Sequence, residues 1–150
     1  MNKIFQRSVV NKVQEISEQL ENIKSMSAFE PKWTKPLPID SGKVRDGLGV
    51  YRIIYKPTQE TMSIGQGNVG NRKCRHKGVF KNNGKDMVSP NGHVSPSQTG
   101  KKMFVYDDNI DNWLFQYCLI PEKVLCSEYE KLLQENEEPE FNLLFMGGNS

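Results

Sequence analysis

The chain is short of the residues that bridge, ligate or span. It has three cysteines in 150 residues, Cys74, Cys118 and Cys126. The odd count without CxxC spacing indicates neither a disulfide framework nor a zinc knuckle, and it suits a reducing compartment. No apolar run approaches the roughly 18 residues that span a bilayer, and the N-terminus lacks the continuous apolar stretch of a secretory leader. A soluble, cytoplasmic protein with no membrane partner is expected. No zinc-finger or helix-turn-helix pattern is present to supply sequence recognition. The length allows one core with a small appendage and argues against two full domains.

Charge is nearly balanced in sum but not in distribution. The net charge is +2, yet between Asn71 and Met87 six lysines or arginines face one aspartate, and from Pro121 to Ser150 seven glutamates face two lysines. A basic middle suits a polyanion, and an acidic end suits a solvated helix or a divalent cation.

The stretch Gly49–His76 carries the most chemistry. An apolar-rich run (Val50, Tyr51, Ile53, Ile54, Tyr55), a turn at 56–59 and a second run, Met62 to Ile64, predict a β-hairpin. Gly65, Gly67 and Gly70 then predict a tight loop, with Asn71 capping a helix that sets Arg72 and His76 on one face. A phenol, a guanidinium and an imidazole aimed at one place suit phosphate chemistry. Arginine offers a planar fork to phosphate oxygens, while tyrosine and histidine can move protons.

On either side the patterning is simpler. Residues 3–26 place Val9, Val13, Ile16, Leu20 and Ile23 on a heptad seam, which serves either an amphipathic helix packed on its own domain or a homodimer through that helix. Residues 27–47 hold three prolines and two glycines and read as an extended connector, tacked down at Trp33 and Leu37. Residues 81–102 read as a long basic loop beside the phosphate site, containing His93, an ordinary loop residue. Met103–Tyr106 is predicted as a short paired strand, and Trp113–Ile120 as a central strand. A helix starting at Pro121 carries the stripe Val124, Leu125, Tyr129, Leu132 and Leu133. The tail after Pro139 is expected to pack Phe141, Leu143, Leu144 and Phe145 on the sheet.

Taken in order, GVY (Gly49, Val50, Tyr51), SIG (Ser63, Ile64, Gly65), Arg72 with His76, and the run EKLLQENEEPEFN from Glu130 through Pro139 to Asn142 resemble the GIY-YIG nuclease domain. The match covers about residues 47–144. It implies an α/β fold with a three-stranded, mainly antiparallel central sheet flanked by helices. Residues 1–46 would then form a helical arm and connector, and residues 47–150 the nuclease-like domain. The resemblance implies a DNA endonuclease of homing, phage or mobile-element type that uses Mg2+, or another divalent cation such as Mn2+, held by Glu130. Arg72 would stabilise charge on the phosphate, Tyr51 would position or deprotonate water, and His76 would relay protons. Asn142 would hold the metal-site helix or the tyrosine in place.

Ser63 stands where relatives carry the second tyrosine. A water bridging from its hydroxyl, or Tyr55 leaning in from the same strand face, would fill the gap. Lys73, Arg75, Lys77, Lys81, Lys85, Lys101 and Lys102 are the candidate DNA contacts. The alternative reading is a catalytically impaired module that binds DNA or oligomerises.

Overall fold

The structure, a computed structural model, describes residues 29–40 and 44–142. The chain divides into two units, Met1–Pro31 and Lys32–Ser150, and all that follows concerns the second. The heptad seam of residues 9–23 and the tail residues Leu143, Leu144 and Phe145 lie outside the described residues.

Alternation builds the sheet. In β2 (Leu48–Tyr55) Tyr51, Ile53 and Tyr55 point to one face and Val50, Arg52 and Ile54 to the other. Both faces are covered, which is why the strand is apolar nearly throughout. β2 pairs antiparallel with β3 (Glu60–Asn68), Tyr51 lying opposite Gly65 and Ile53 opposite Ser63. The register slips between Ile53 and Ile54, where Met62 is the extra residue of a bulge. On its other side β2 pairs with β6 (Trp113–Leu119), which places Tyr51 beside Tyr117 and Ile53 beside Phe115.

The sheet has four strands, in the order β1, β6, β2, β3, where three were expected. The fourth, β1 (Leu37–Pro38), comes from the stretch read as a connector. It pairs with Phe115 and Leu114, and the backbone N–H groups of Thr34 and Ile39 donate to Tyr117 and Trp113 at 3.0 and 3.1 Å. A two-residue strand containing proline shows no alternation, and an edge is where a sheet tolerates proline. Ile39 beside it is fully buried.

Two helices cover the Tyr51 face. The first, α1 (Val69–Lys81), begins directly after β3 with no glycine loop between them. Its N-cap is Asn68, whose side chain accepts from the Asn71 N–H at 3.0 Å, so Asn71 is the receiver of the cap. The second, α2 (Gln98–Tyr106), replaces the strand expected at Met103–Tyr106. Ser97 caps it by accepting from the Gly100 N–H at 2.9 Å, Met103 enters the core, and Phe104 meets Phe80 edge-on at 5.5 Å.

Between α1 and α2 the chain forms a ribbon, β4 (Met87–Val88) with β5 (Val94–Ser95), where a long loop was expected. On the opposite face lies α3 (Lys123–Glu137), which starts two residues after Pro121 and buries Cys126, Tyr129 and Leu133. It is tied to β2 by the two-pronged ion pair of Arg52 with Glu137. The Arg52 guanidinium also lies 4.2 Å over the Trp33 ring, whose Nε1–H donates to the Tyr129 hydroxyl at 2.9 Å. Trp33 is thus the tack expected of it. Phe141 packs against Trp113 and Tyr106 at about 6 Å, as expected of the tail.

Candidate active site

β2 and α1 bring two of the sequence-predicted residues into contact. The Tyr51 hydroxyl lies 3.3 Å from His76 Nε2, and the other ring nitrogen, Nδ1, lies 2.7 Å from Ser97 Oγ. Tyr51 stacks on Phe115 at 5.2 Å, which holds its ring against the sheet. Burial pushes the phenol up to about 12, with Glu130 adding to the rise and Arg72 and Arg75 opposing it. Burial, reinforced by Arg72 and Arg75, pushes His76 down to about 3. Both groups are therefore neutral at pH 7.

Arg72 lies one helical turn before His76 on α1, over the end of β3. A Cβ at Gly67 would sit 2.6 Å from Arg72 Nε, and one at Gly65 would sit 2.5 Å from Tyr51 Cζ. These glycines are strand residues, with Gly67 at φ +139°. They are small because the phenol and the guanidinium occupy the space a side chain would need. A loop was predicted here on composition, but close approach is the other reason for glycine within a strand.

Glu130 is half-buried on α3, across the same edge strand. Gln66 of β3 exchanges hydrogen bonds with Ser127 of α3 at 3.1 and 3.2 Å, which seats the helix beside the glycine stretch. Desolvation raises the Glu130 carboxyl from its ordinary 4.5 to about 6, against the pull of Arg72 and Lys131. Arg72 therefore acts electrostatically on Tyr51, His76 and Glu130 alike. No ion pair joins Arg72 to Glu130 among the described residues.

Asn142 binds the backbone of β3, not Tyr51 or the Glu130 helix. Its Oδ1 accepts from the Ile64 N–H at 2.7 Å and its Nδ2 donates to the Ile64 carbonyl at 3.0 Å, with Gln134 donating to the same carbonyl. The free edge of β3 is thereby tied to the chain just beyond α3. Ser63 is buried, only 3% exposed, opposite Ile53. Tyr55 does not lean toward it, because its hydroxyl donates to Asp107 Oδ2 at 2.6 Å and its ring packs on Trp113 and Tyr106.

The candidate DNA contacts are scattered. Lys73 is buried at 6% exposure, and that burial lowers its pKa. Lys81 and Lys77 flank Asp40 at 2.9 and 3.9 Å, and Lys101 pairs with Asp86 at 3.0 Å. Lys102 donates to the Phe141 carbonyl at 3.4 Å. Lys85 is exposed and forms no ion pair among the described residues. Arg75 is half-buried, its charge reaches both Tyr51 and His76, and its Nε has no hydrogen-bond partner among the described residues.

Sequence reasoning missed Ser97. The signal was there in the helix-capping pattern Ser-Pro-Ser ahead of an apolar run, but it pointed to a cap and said nothing of His76. Among the described residues no group of three or more His, Cys, Asp or Glu converges on a metal-sized site. Glu130 would hold a cation alone. A single carboxylate suits magnesium, which keeps much of its hydration and takes substrate phosphate oxygens as ligands. Comparison of the chain with protein-family models, curated proteins and solved structures gives no match.

Proposed function

We propose that the chain is a GIY-YIG-like endonuclease, of phage or mobile-element type, that hydrolyses DNA phosphodiester bonds with magnesium or manganese. The observation that supports this reading is the buried contact of the Tyr51 phenol with the His76 imidazole, with Arg72, which has no acidic partner among the described residues, acting electrostatically on both and on the desolvated Glu130 carboxyl. Small-residue positions at Gly65 and Gly67 make room for it.

In this reading Arg72 presents its fork to the non-bridging oxygens and stabilises the charge that grows there as phosphorus becomes five-coordinate. Removing such a preorganised contact costs on the order of a hundredfold or more in rate. Tyr51 orients the attacking water through its hydroxyl oxygen. In the tautomer that donates Nδ1–H to Ser97, His76 Nε2 keeps its lone pair toward Tyr51. The water proton then passes to the phenol oxygen as the phenol's own proton moves to Nε2. The approach of a phosphate counters the burial that makes His76 a weak base. Glu130 holds the cation, which when bound neutralises charge on the phosphate.

Relaxation of supercoiled plasmid in magnesium tests the reading, with wild type expected to nick and Glu130→Ala expected to be inert. Equal nicking by both would overturn it. The buried Ser63, in place of a second phenol, favours one other outcome, salt-sensitive DNA binding without cutting.

A further inference from the structure

Arg75 is the charged residue beside the site that the proposed mechanism leaves idle. It stands on α1 three residues after Arg72 and one before His76, and residues three apart share a helix face. It is half-buried, and its Nε is enclosed without a hydrogen-bond partner among the described residues. Its two terminal nitrogens reach the surface, and they too lack a partner among the described residues. Both features cost stability. A buried N–H left unmade keeps its full desolvation penalty, and a like charge one turn away on the same face adds repulsion.

No carboxylate nearby relieves either arginine. The helix α1 holds no acidic residue, and neither does α2, the other helix over this face of the sheet. The neighbouring lysines differ in this respect, because Lys77 and Lys81 meet Asp40 and Lys101 meets Asp86. Two half-buried guanidiniums without acids call for anions, and their planar forks match the paired oxygens of phosphate.

The two arginines are not equivalent. Arg72 acts on Tyr51, His76 and Glu130, whereas Arg75 acts on Tyr51 and His76 and does not move Glu130. Arg75 is therefore the cation farther from the carboxylate assigned to the metal. A phosphodiester carries a single negative charge, which Arg72 and the metal together already answer. We propose that Arg75 binds the next phosphate of the same strand, so that the site grips two successive phosphates and Arg75 anchors the substrate without touching the reacting one. The inference rests on the nuclease reading for its substrate, but its first test does not depend on cutting.

The full chain, wild type and Arg75→Met, is titrated against a labelled duplex in EDTA over a range of salt, followed by anisotropy. Arg75→Met should bind about tenfold more weakly on every sequence, and the slope of log K against log salt should shrink by about 1. It should melt no lower than wild type, because an unmet buried N–H and a like charge are gone. In magnesium, its single-turnover rate at saturating protein should stay within about threefold of wild type, because an anchor held equally in ground and transition state changes binding and not the chemical step. Arg75→Gln, which keeps a donor at this position, is a second uncharged variant with the same expected change in slope. Unchanged affinity and slope in both would overturn the proposal and leave the nuclease reading standing. A saturated rate that falls about a hundredfold would put Arg75 on the cleaved phosphate and also overturn it. Variants that melt lower and bind DNA like wild type would mean that Arg75 answers a carboxylate of its own chain, and the proposal fails. A lost contact in a protein whose wild type never nicks would uphold the phosphate grip and overturn the nuclease.

Discussion

Glu130 should be worth more to the protein removed than kept, as far as stability is concerned. Its carboxyl titrates at about 6 in the folded chain against an ordinary 4.5, a rise caused first by desolvation. Taken at face value, 1.5 units correspond to about 2 kcal/mol, and solvent screening of this partly exposed group reduces that to about 1 kcal/mol. Between those two pH values the folded state binds more protons than the unfolded one, so stability falls as pH rises through the window from 4.5 to about 6. Below it the carboxyl is protonated in both states and the penalty vanishes. Glu130→Gln removes the charge and should melt about 3–5 °C higher than wild type at pH 7.5, with little difference at pH 4. Magnesium should raise the wild-type melting temperature and leave the variant unmoved. Differential scanning calorimetry at both pH values decides it. A variant that melts lower than wild type at pH 7.5 would refute the reasoning, because it would mean that Glu130 is held by favourable contacts and is not desolvated.

Three further outcomes follow from the same geometry. Gly67→Ala places a methyl group against Arg72 Nε at a positive φ, so plasmid nicking should fall about a hundredfold through a displaced guanidinium, by single-turnover kinetics. Ser97→Ala removes both the α2 cap and the His76 Nδ1 partner and should cost about 1–2 kcal/mol in urea unfolding, while Ser97→Thr should recover most of it. The pH profile of nicking should rise on the acid side at or below about 6, where Glu130 ionises, and show no alkaline loss from Tyr51 short of about 12. An alkaline limb near pH 8 would show that a charged histidine or phenolate takes part.

How much of this was legible in the sequence depended on the kind of signal. The hairpin of β2 and β3, the central β6 and the amphipathic α3 were readable because apolar alternation and the helical stripe report burial directly. The pairing of Arg72 with His76 along α1 was readable from spacing alone. Three things were not. β1 is too short for any period. The run MFVY looks like a strand by composition but is helical because Ser97 caps it and α1 offers Met103 a core to enter. Gly65 and Gly67 resemble a loop unless the side chains that crowd them are known, and those come from Tyr51 and Arg72 on other elements. For the same reason the lysines between Lys73 and Lys102 looked like one basic surface, whereas Asp40 and Asp86 engage several of them and Lys73 is buried.

The proposed nuclease function requires Tyr51, Arg72, His76 and Glu130 to act together on one phosphate. Single-turnover cleavage of a labelled duplex in magnesium, with affinity measured in parallel, tests it for wild type, Arg72→Ala and Glu130→Gln. The account predicts cleavage by wild type and a loss of at least a hundredfold in both variants at similar DNA affinity. Cleavage that persists in either variant, or that needs no divalent cation, would contradict it.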